Sequence, residues 1–143
     1  MKYYILIAIM LVVTGCSGRS NPGIPTPYIK YPDSIGVVDP VNSDSIVFLG
    51  NSLTDLGYWQ DLFPGLPVCN QGIGGNTTLQ VLARLDPILE NKPAKIFLLI
   101  GANDYNFGVH MSFITINHAK IIDDIQKKSP NTKLYVQLIF PFG

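Results

Sequence analysis

The chain has 143 residues, with ten basic and ten acidic side chains and an apolar fraction of 47%, proportions that fit one globular domain and exclude a disordered tail or a collagen-like repeat. Its charges are scattered without a run of one sign, so it offers no electrostatic footprint for nucleic acid or an anionic membrane surface. A small neutral or weakly charged substrate is the expectation that remains.

At the N-terminus, Met1-Lys2 supplies one positive charge and Tyr3 to Val13 is an unbroken apolar stretch. That stretch is too short to span a bilayer comfortably and reads as the h-region of a signal peptide. The next residues, Val13-Thr14-Gly15-Cys16, resemble the lipobox of bacterial lipoproteins. Residues 1–15 are therefore expected to be cleaved, leaving Cys16 lipid-modified at the new N-terminus of an exported protein anchored to a membrane of the bacterial envelope. Prolines 22, 25, 27, 32 and 40, among Gly, Ser and Asn, make residues 16–40 a flexible tether. The folded domain is expected over 41–143. With Cys16 acylated, Cys69 has no disulfide partner and reads as a small buried hydrophobe.

The first strand is expected at Ser45-Ile46-Val47-Phe48-Leu49, a β-branched and aromatic run stopped by Gly50. A second follows at Val68 to Gln71, a third at Lys95 to Ile100, and a fourth at Lys133 to Phe140. Helical spacing fills the intervals, over roughly Thr54 to Leu62, Thr77 to Leu85 and Ser112 to Lys127. Asn76 or Thr77 would cap the second of these. On the longest, Ile114, Ile121, Ile122 and Ile125 form an apolar stripe that His118 shares, which makes His118 a partly buried packing residue. Strands alternating with helices predict βαβ units and a parallel sheet covered on both faces.

In such sheets the ligand site lies beyond the carboxyl ends of the strands, where strand order reverses. Three loops leave those ends: Gly50-Asn51-Ser52-Leu53-Thr54-Asp55, Gly72-Ile73-Gly74-Gly75-Asn76-Thr77 and Gly101-Ala102-Asn103-Asp104. Ser52, between a strand end and a helix start, is placed as a nucleophile whose own N–H can meet an oxyanion. Gly75 offers a second N–H where a side chain would obstruct a substrate, and the Asn103 amide a third donor.

These three segments, in this order, resemble blocks I, II and III of the SGNH (GDSL-like) hydrolases, and the similarity covers about Ser45 to Gly143. The resemblance implies a three-layer, flavodoxin-like α/β fold with a parallel sheet. It also implies Ser52 as the nucleophile of a serine esterase, and Ser52, Gly75 and Asn103 as its oxyanion hole. Asn51 and Asn76 stand where the family often has Asp, and neither position forms the covalent bond. The family's block V, an Asp followed three residues later by a His, has no counterpart in this sequence. His110 follows the third-strand loop and stands near the expected rim. The apolar run Leu134 to Phe142 would lie at a sheet edge if no further strand covered it. The chain is therefore expected to lack a last strand and helix that carry the Asp/His pair, and to turn over little substrate alone.

No cofactor is expected. The glycine-rich segment has neither the spacing nor the lysine of a phosphate loop, no His/Cys/carboxylate cluster suggests a metal, and Thr54 stands where a G-x-S-x-G elbow needs Gly. Tyr58 and Trp59 are expected to pack the first helix. The resemblance implies a small ester substrate, acetylated carbohydrate or a related ester. The other reading is a catalytically inactive surface lipoprotein that holds a glycan or a partner in the same cleft.

Overall fold

The computed structural model describes residues 39–137. The expected signal peptide, Cys16 and the tether up to residue 38 lie outside the described residues, as does the fourth strand beyond residue 137. Strands β1 (Ile46–Gly50), β2 (Val68–Gly72), β3 (Lys95–Leu99) and β4 (Lys133–Val136) form one sheet in the order β2-β1-β3-β4. Every pairing is parallel. Helices α1 (Ser52–Asp55), α2 (Trp59–Leu62), α3 (Thr78–Ala83), α4 (Leu85–Glu90), α5 (Ala102–Asn106) and α6 (Met111–Lys128) make the connections.

Alternation along the strands sorts side chains to two faces. Val47 and Leu49 on β1 stand in register with Ile96 and Leu98 on β3, which in turn meet Leu134 and Val136 on β4. This aliphatic face packs against Val81, Leu85, Ile88 and Leu89 of α3 and α4 and against Ile121 and Ile125 of α6. The opposite face is aromatic. Phe48, Phe97 and Tyr135 are register partners stacked across three strands, with centroids 5.1 and 4.6 Å apart. Trp59 of α2 lies flat on Phe48 at 3.9 Å, and Phe63 stacks at 5.8 Å. Helices on both faces complete the three layers expected from the sequence.

One expected helix is broken in two, and another stops short and is followed by a separate helix. Between α1 and α2 the chain turns at Leu56-Gly57-Tyr58, because the Trp59 indole N–H must reach back to the Thr54 carbonyl, at 2.7 Å. A Cβ at Gly57 would lie 2.3 Å from that indole ring. Trp59 is thus a packing residue, as expected, whereas Tyr58 is exposed. The second break is at Arg84, whose backbone leaves the helical region at φ −110° and ψ 12°. Helix α4 beyond it was not expected from the sequence. Its Pro87 falls in the first turn, where no intrahelical donor is required of it. The third-strand loop also contains a short helix, α5, and β2 gains Gly72.

The β2 edge is closed by the incoming chain. Asp39 donates its N–H to the Asn70 carbonyl (3.3 Å), and its carboxylate accepts the Asn70 N–H (2.8 Å). Cys69 is buried as expected, and its thiol also bonds the Pro40 carbonyl and the Ser45 hydroxyl. No described helix is long and apolar enough to cross a membrane.

Candidate active site

The chain leaves β1 for β2 on one side and returns to β3 on the other, so strand order reverses between β1 and β3. At that point the carboxyl ends deliver Asn51-Ser52 and Gly101-Ala102-Asn103. Asn51 is the N-cap of α1. It is 1% exposed, and its side-chain oxygen accepts the Leu53 N–H at 3.0 Å. That cap starts the helix at Ser52, which is half-buried, and no described residue bonds its hydroxyl.

The glycines of the first two loops answer to close backbone approach. A Cβ at Gly50 would lie 2.4 Å from the Leu99 carbonyl oxygen, and one at Gly72 would lie 2.1 Å from the Asp55 N. Helix α1 is thus laid directly against the end of β2. Gly75 has φ +80° and Gly101 φ +116°, conformations that a side chain would strain. Besides leaving room for a substrate, Gly75 therefore meets a conformational demand of its own backbone.

The second and third loops are bonded to each other. The Asn103 side-chain amide donates one proton to the Asn76 carbonyl at 2.9 Å, and its other proton is uncommitted among the described residues. The next carboxylate, Asp104, is 1% exposed and accepts the Thr78 N–H (2.9 Å) and the Thr78 hydroxyl (2.5 Å). Asn117 of α6 donates to the same hydroxyl at 2.9 Å. At the start of α3, Gln80 accepts the N–H of Thr77, the capping residue.

Arg84 joins the remaining pieces. Its Nη2 donates to the Gly50 carbonyl (3.1 Å) and the Gln71 carbonyl (2.8 Å), and its Nε to the Asn76 side-chain oxygen (2.9 Å). Partial burial pushes its pKa below the ordinary guanidinium range, to about 10. The charged form is therefore disfavoured by the fold at every pH below about 10 and relieved only above it, yet it persists at neutrality. All its acceptors are neutral; the ion pairs among the described residues belong to Lys127 and Lys128.

Of the site residues singled out from the sequence, the structure thus brings Asn103 into contact with the loop that holds Gly75, and ties that loop through Arg84 to the strand end before Ser52. No hydrogen bond joins Ser52, Gly75 and Asn103 directly. Each of the two histidines already has a backbone partner, and that of His118 is at the β3 end just before Gly101. His110 caps α6, its Nδ1 accepting the Ser112 N–H at 3.3 Å and lying 2.8 Å from the Ser112 hydroxyl. His118 Nε2 lies 3.1 Å from the Ile100 carbonyl, which can only accept, so that nitrogen carries the proton. His118 is half-buried on the α6 stripe, as expected.

Arg84 and Asn117 were not anticipated as parts of the site, and Asp104 was included in the third loop without a role. The one signal for Arg84 was a cation three residues after Val81 and next to Leu85, inside an otherwise apolar helical stripe. No group of three or more metal-ligating side chains occurs among the described residues. A groove of about 420 Å³ lined by Leu79, Asp86, Lys120 and Lys128 lies between the α3–α4 segment and α6 and contains none of the loop residues. That groove is a seam between helices, and the polar groups converge at the strand ends instead.

The profile of the GDSL-like lipase/acylhydrolase family matches residues 48–143. The chain is 30% identical over 104 residues to the human platelet-activating factor acetylhydrolase IB subunit alpha1 and 33% identical to the human alpha2 subunit, in each case over 68% of this chain. It spans only 44% of the length of these relatives. Among solved structures, a Streptococcus pneumonia protein provisionally named a platelet activating factor superposes with a TM-score of 0.64 at 32% identity, covering 71% of this chain and 48% of that one. The esterase EstA of Pseudoalteromonas sp. superposes at 0.62 with 24% identity, covering 68% of this chain and 61% of its own, and supports the fold.

Proposed function

This chain belongs to the GDSL-like lipase/acylhydrolase family, and on that premise we propose that it is a serine esterase with Ser52 as nucleophile. Ser52 Oγ adds to the ester carbonyl, the alcohol leaves, and water releases the acyl group from the serine. The oxyanion formed at each stage takes hydrogen bonds from the N–H groups of Ser52 and Gly75 and from the Asn103 amide. The observation that carries this reading is the Asn103 side chain. One amide proton holds it to the Asn76 carbonyl, and the other is left for a ligand at the reversal of strand order. Donors fixed before the substrate arrives need no reorganisation when charge develops.

Without a base, Ser52 stays protonated and weakly nucleophilic. His110 is held as a helix cap and His118 donates to a carbonyl, so neither is placed to serve. The proposed base is an Asp-supported His outside residues 1–143. Small acyl groups, acetyl first, are the proposed substrates, and the curated relatives that carry the name acetylhydrolase support that choice. Acetylated carbohydrate or a related ester outside the cytoplasm is the proposed acyl donor, and acylated Cys16 the proposed membrane anchor.

The test is hydrolysis of a short-chain aryl acetate by the full gene product. Ser52→Ala lowers kcat by about three powers of ten or more with an unchanged melting temperature; equal rates in the two proteins reject the hydrolase reading. Anchoring is tested separately: Cys16→Ser abolishes incorporation of labelled fatty acid, and undiminished label places the lipid elsewhere.

A further inference from the structure

We propose that Arg84 is a positioning residue for the oxyanion donors, an inference that rests on the esterase reading. The hydrogen bonds form a short relay. Arg84 Nε holds the Asn76 side chain (2.9 Å), and the Asn76 backbone carbonyl holds the Asn103 amide (2.9 Å). Through Nη2 the same guanidinium bonds the carbonyl of Gly50, two residues before Ser52, and that of Gln71 at the end of β2. One planar group thereby fixes the nucleophile turn, the glycine loop and, at one remove, the Asn103 amide in a common frame.

The chemistry of its surroundings argues against a purely structural role. Arg84 is half-buried, and a partly desolvated cation whose acceptors are all neutral is an expensive way to fill that space, where an apolar side chain of similar volume is often as stable or more so. The guanidinium provides several donors in a rigid fork that reaches three segments at once, which an ammonium on a flexible stem cannot do. Its placement reinforces the point. Helix α3 ends and α4 begins at Arg84, so the backbone breaks where the side chain turns toward the strand ends. Reacting groups misplaced by about an ångström lose on the order of a hundredfold in rate, so a group that sets these separations acts on kcat without touching substrate.

The experiment compares Arg84→Lys, Arg84→Met and Asn76→Ala with the parent in the full gene product, well below the lowest melting temperature. The expected result is a kcat lower by about 10- to 100-fold per folded molecule, with KM within about twofold. Affinity for an aryl trifluoromethyl ketone, which adds the serine oxygen and presents an oxyanion, falls by the same factor. Arg84→Lys keeps the charge and regains little, because geometry is what was lost. An unchanged kcat and ketone affinity per folded molecule, alongside a lower melting temperature, overturns the proposal and makes Arg84 structural. Should both Arg84 variants fail to fold, Asn76→Ala decides: it removes the Nε acceptor and leaves the guanidinium bonds to Gly50 and Gln71, and parental kcat in it breaks the relay. Ser52→Ala separates the two levels. If it is as active as the parent, the esterase reading fails; if it is dead while the Arg84 and Asn76 variants keep parental kcat, only this inference does.

Discussion

The rim at the carboxyl ends of β1, β2 and β3 and the aliphatic layer beneath α3, α4 and α6 are buried to the same depth with opposite chemistry. Asn51, Thr77, Thr78 and Asp104 are no more than 1% exposed, and so are Val47, Leu49, Ile96, Leu98 and Ile121. Apolar burial stabilises in proportion to the area removed from water. Polar burial returns about 1 kcal/mol per hydrogen bond after desolvation, and costs more than that when a partner is removed. Every buried side-chain polar atom among the described residues has such a partner. The rim therefore gains defined positions rather than stability, and the layer gains stability that tolerates some looseness. Substitutions in the two regions should separate in what they change.

Asn103→Ala should give the largest effect on the rim side. It removes the donor whose free proton faces the proposed oxyanion, and kcat should fall by about 100- to 1000-fold. Stability should fall by only about 1 kcal/mol, the worth of the lost bond to Asn76. Steady-state kinetics and denaturant unfolding on the same preparation check both. A variant that loses stability in step with activity would erase the distinction drawn between rim and layer.

Ile121→Ala is the reciprocal case. Its side chain is fully buried in the aliphatic cluster, and truncation should cost about 2–5 kcal/mol. Per folded molecule, kcat should match the parent, because nothing in the rim rests directly on this side chain. Thr78→Val is smaller and lies at the junction. It leaves the Asp104 carboxylate with only the Thr78 N–H and strips Asn117 of its acceptor. A cost of about 1–3 kcal/mol is expected, together with a measurable loss of kcat. Urea unfolding and aryl acetate turnover would show whether the two losses occur together.

The two regions also differed in how far the sequence exposed them. All four strands and the long helix α6 were legible within a residue or two over the described span, because continuous apolar runs and a 3.6-residue stripe report directly on burial. The three loops were legible as a set, since Gly50, Gly72, Gly75 and Gly101 mark close approach or left-handed backbone. The bonds that turn those loops into one unit were not. Asp104 reaches Thr78 across 26 residues and Arg84 reaches Gly50 across 34, and no local pattern encodes a partner at that distance. The breaks at Gly57 and Arg84 were hidden for the same reason. In each, a side chain, Trp59 or Arg84, leaves the helical path for a carbonyl elsewhere, and tertiary demand overrides the helical period.

His110→Ala is the smallest expected change and the one that tests the comparison at its weakest point. His110 follows α5 near the rim, is exposed, and caps α6 through the Ser112 N–H. If it belongs to the scaffold, its loss frees one helix donor at a solvent-accessible terminus and costs about 1 kcal/mol at most. The kcat then stays within about twofold, and the acidic limb of the pH–rate profile is unmoved, because a cap does not exchange protons with Ser52. If His110 were the base, kcat would fall by several powers of ten. The size of the kcat loss thus separates a cap from a base. A modest drop in kcat with the limb intact would mean that α6 sags when uncapped and moves Asn117, a mechanical link from helix to rim through the Asn117 bond to Thr78.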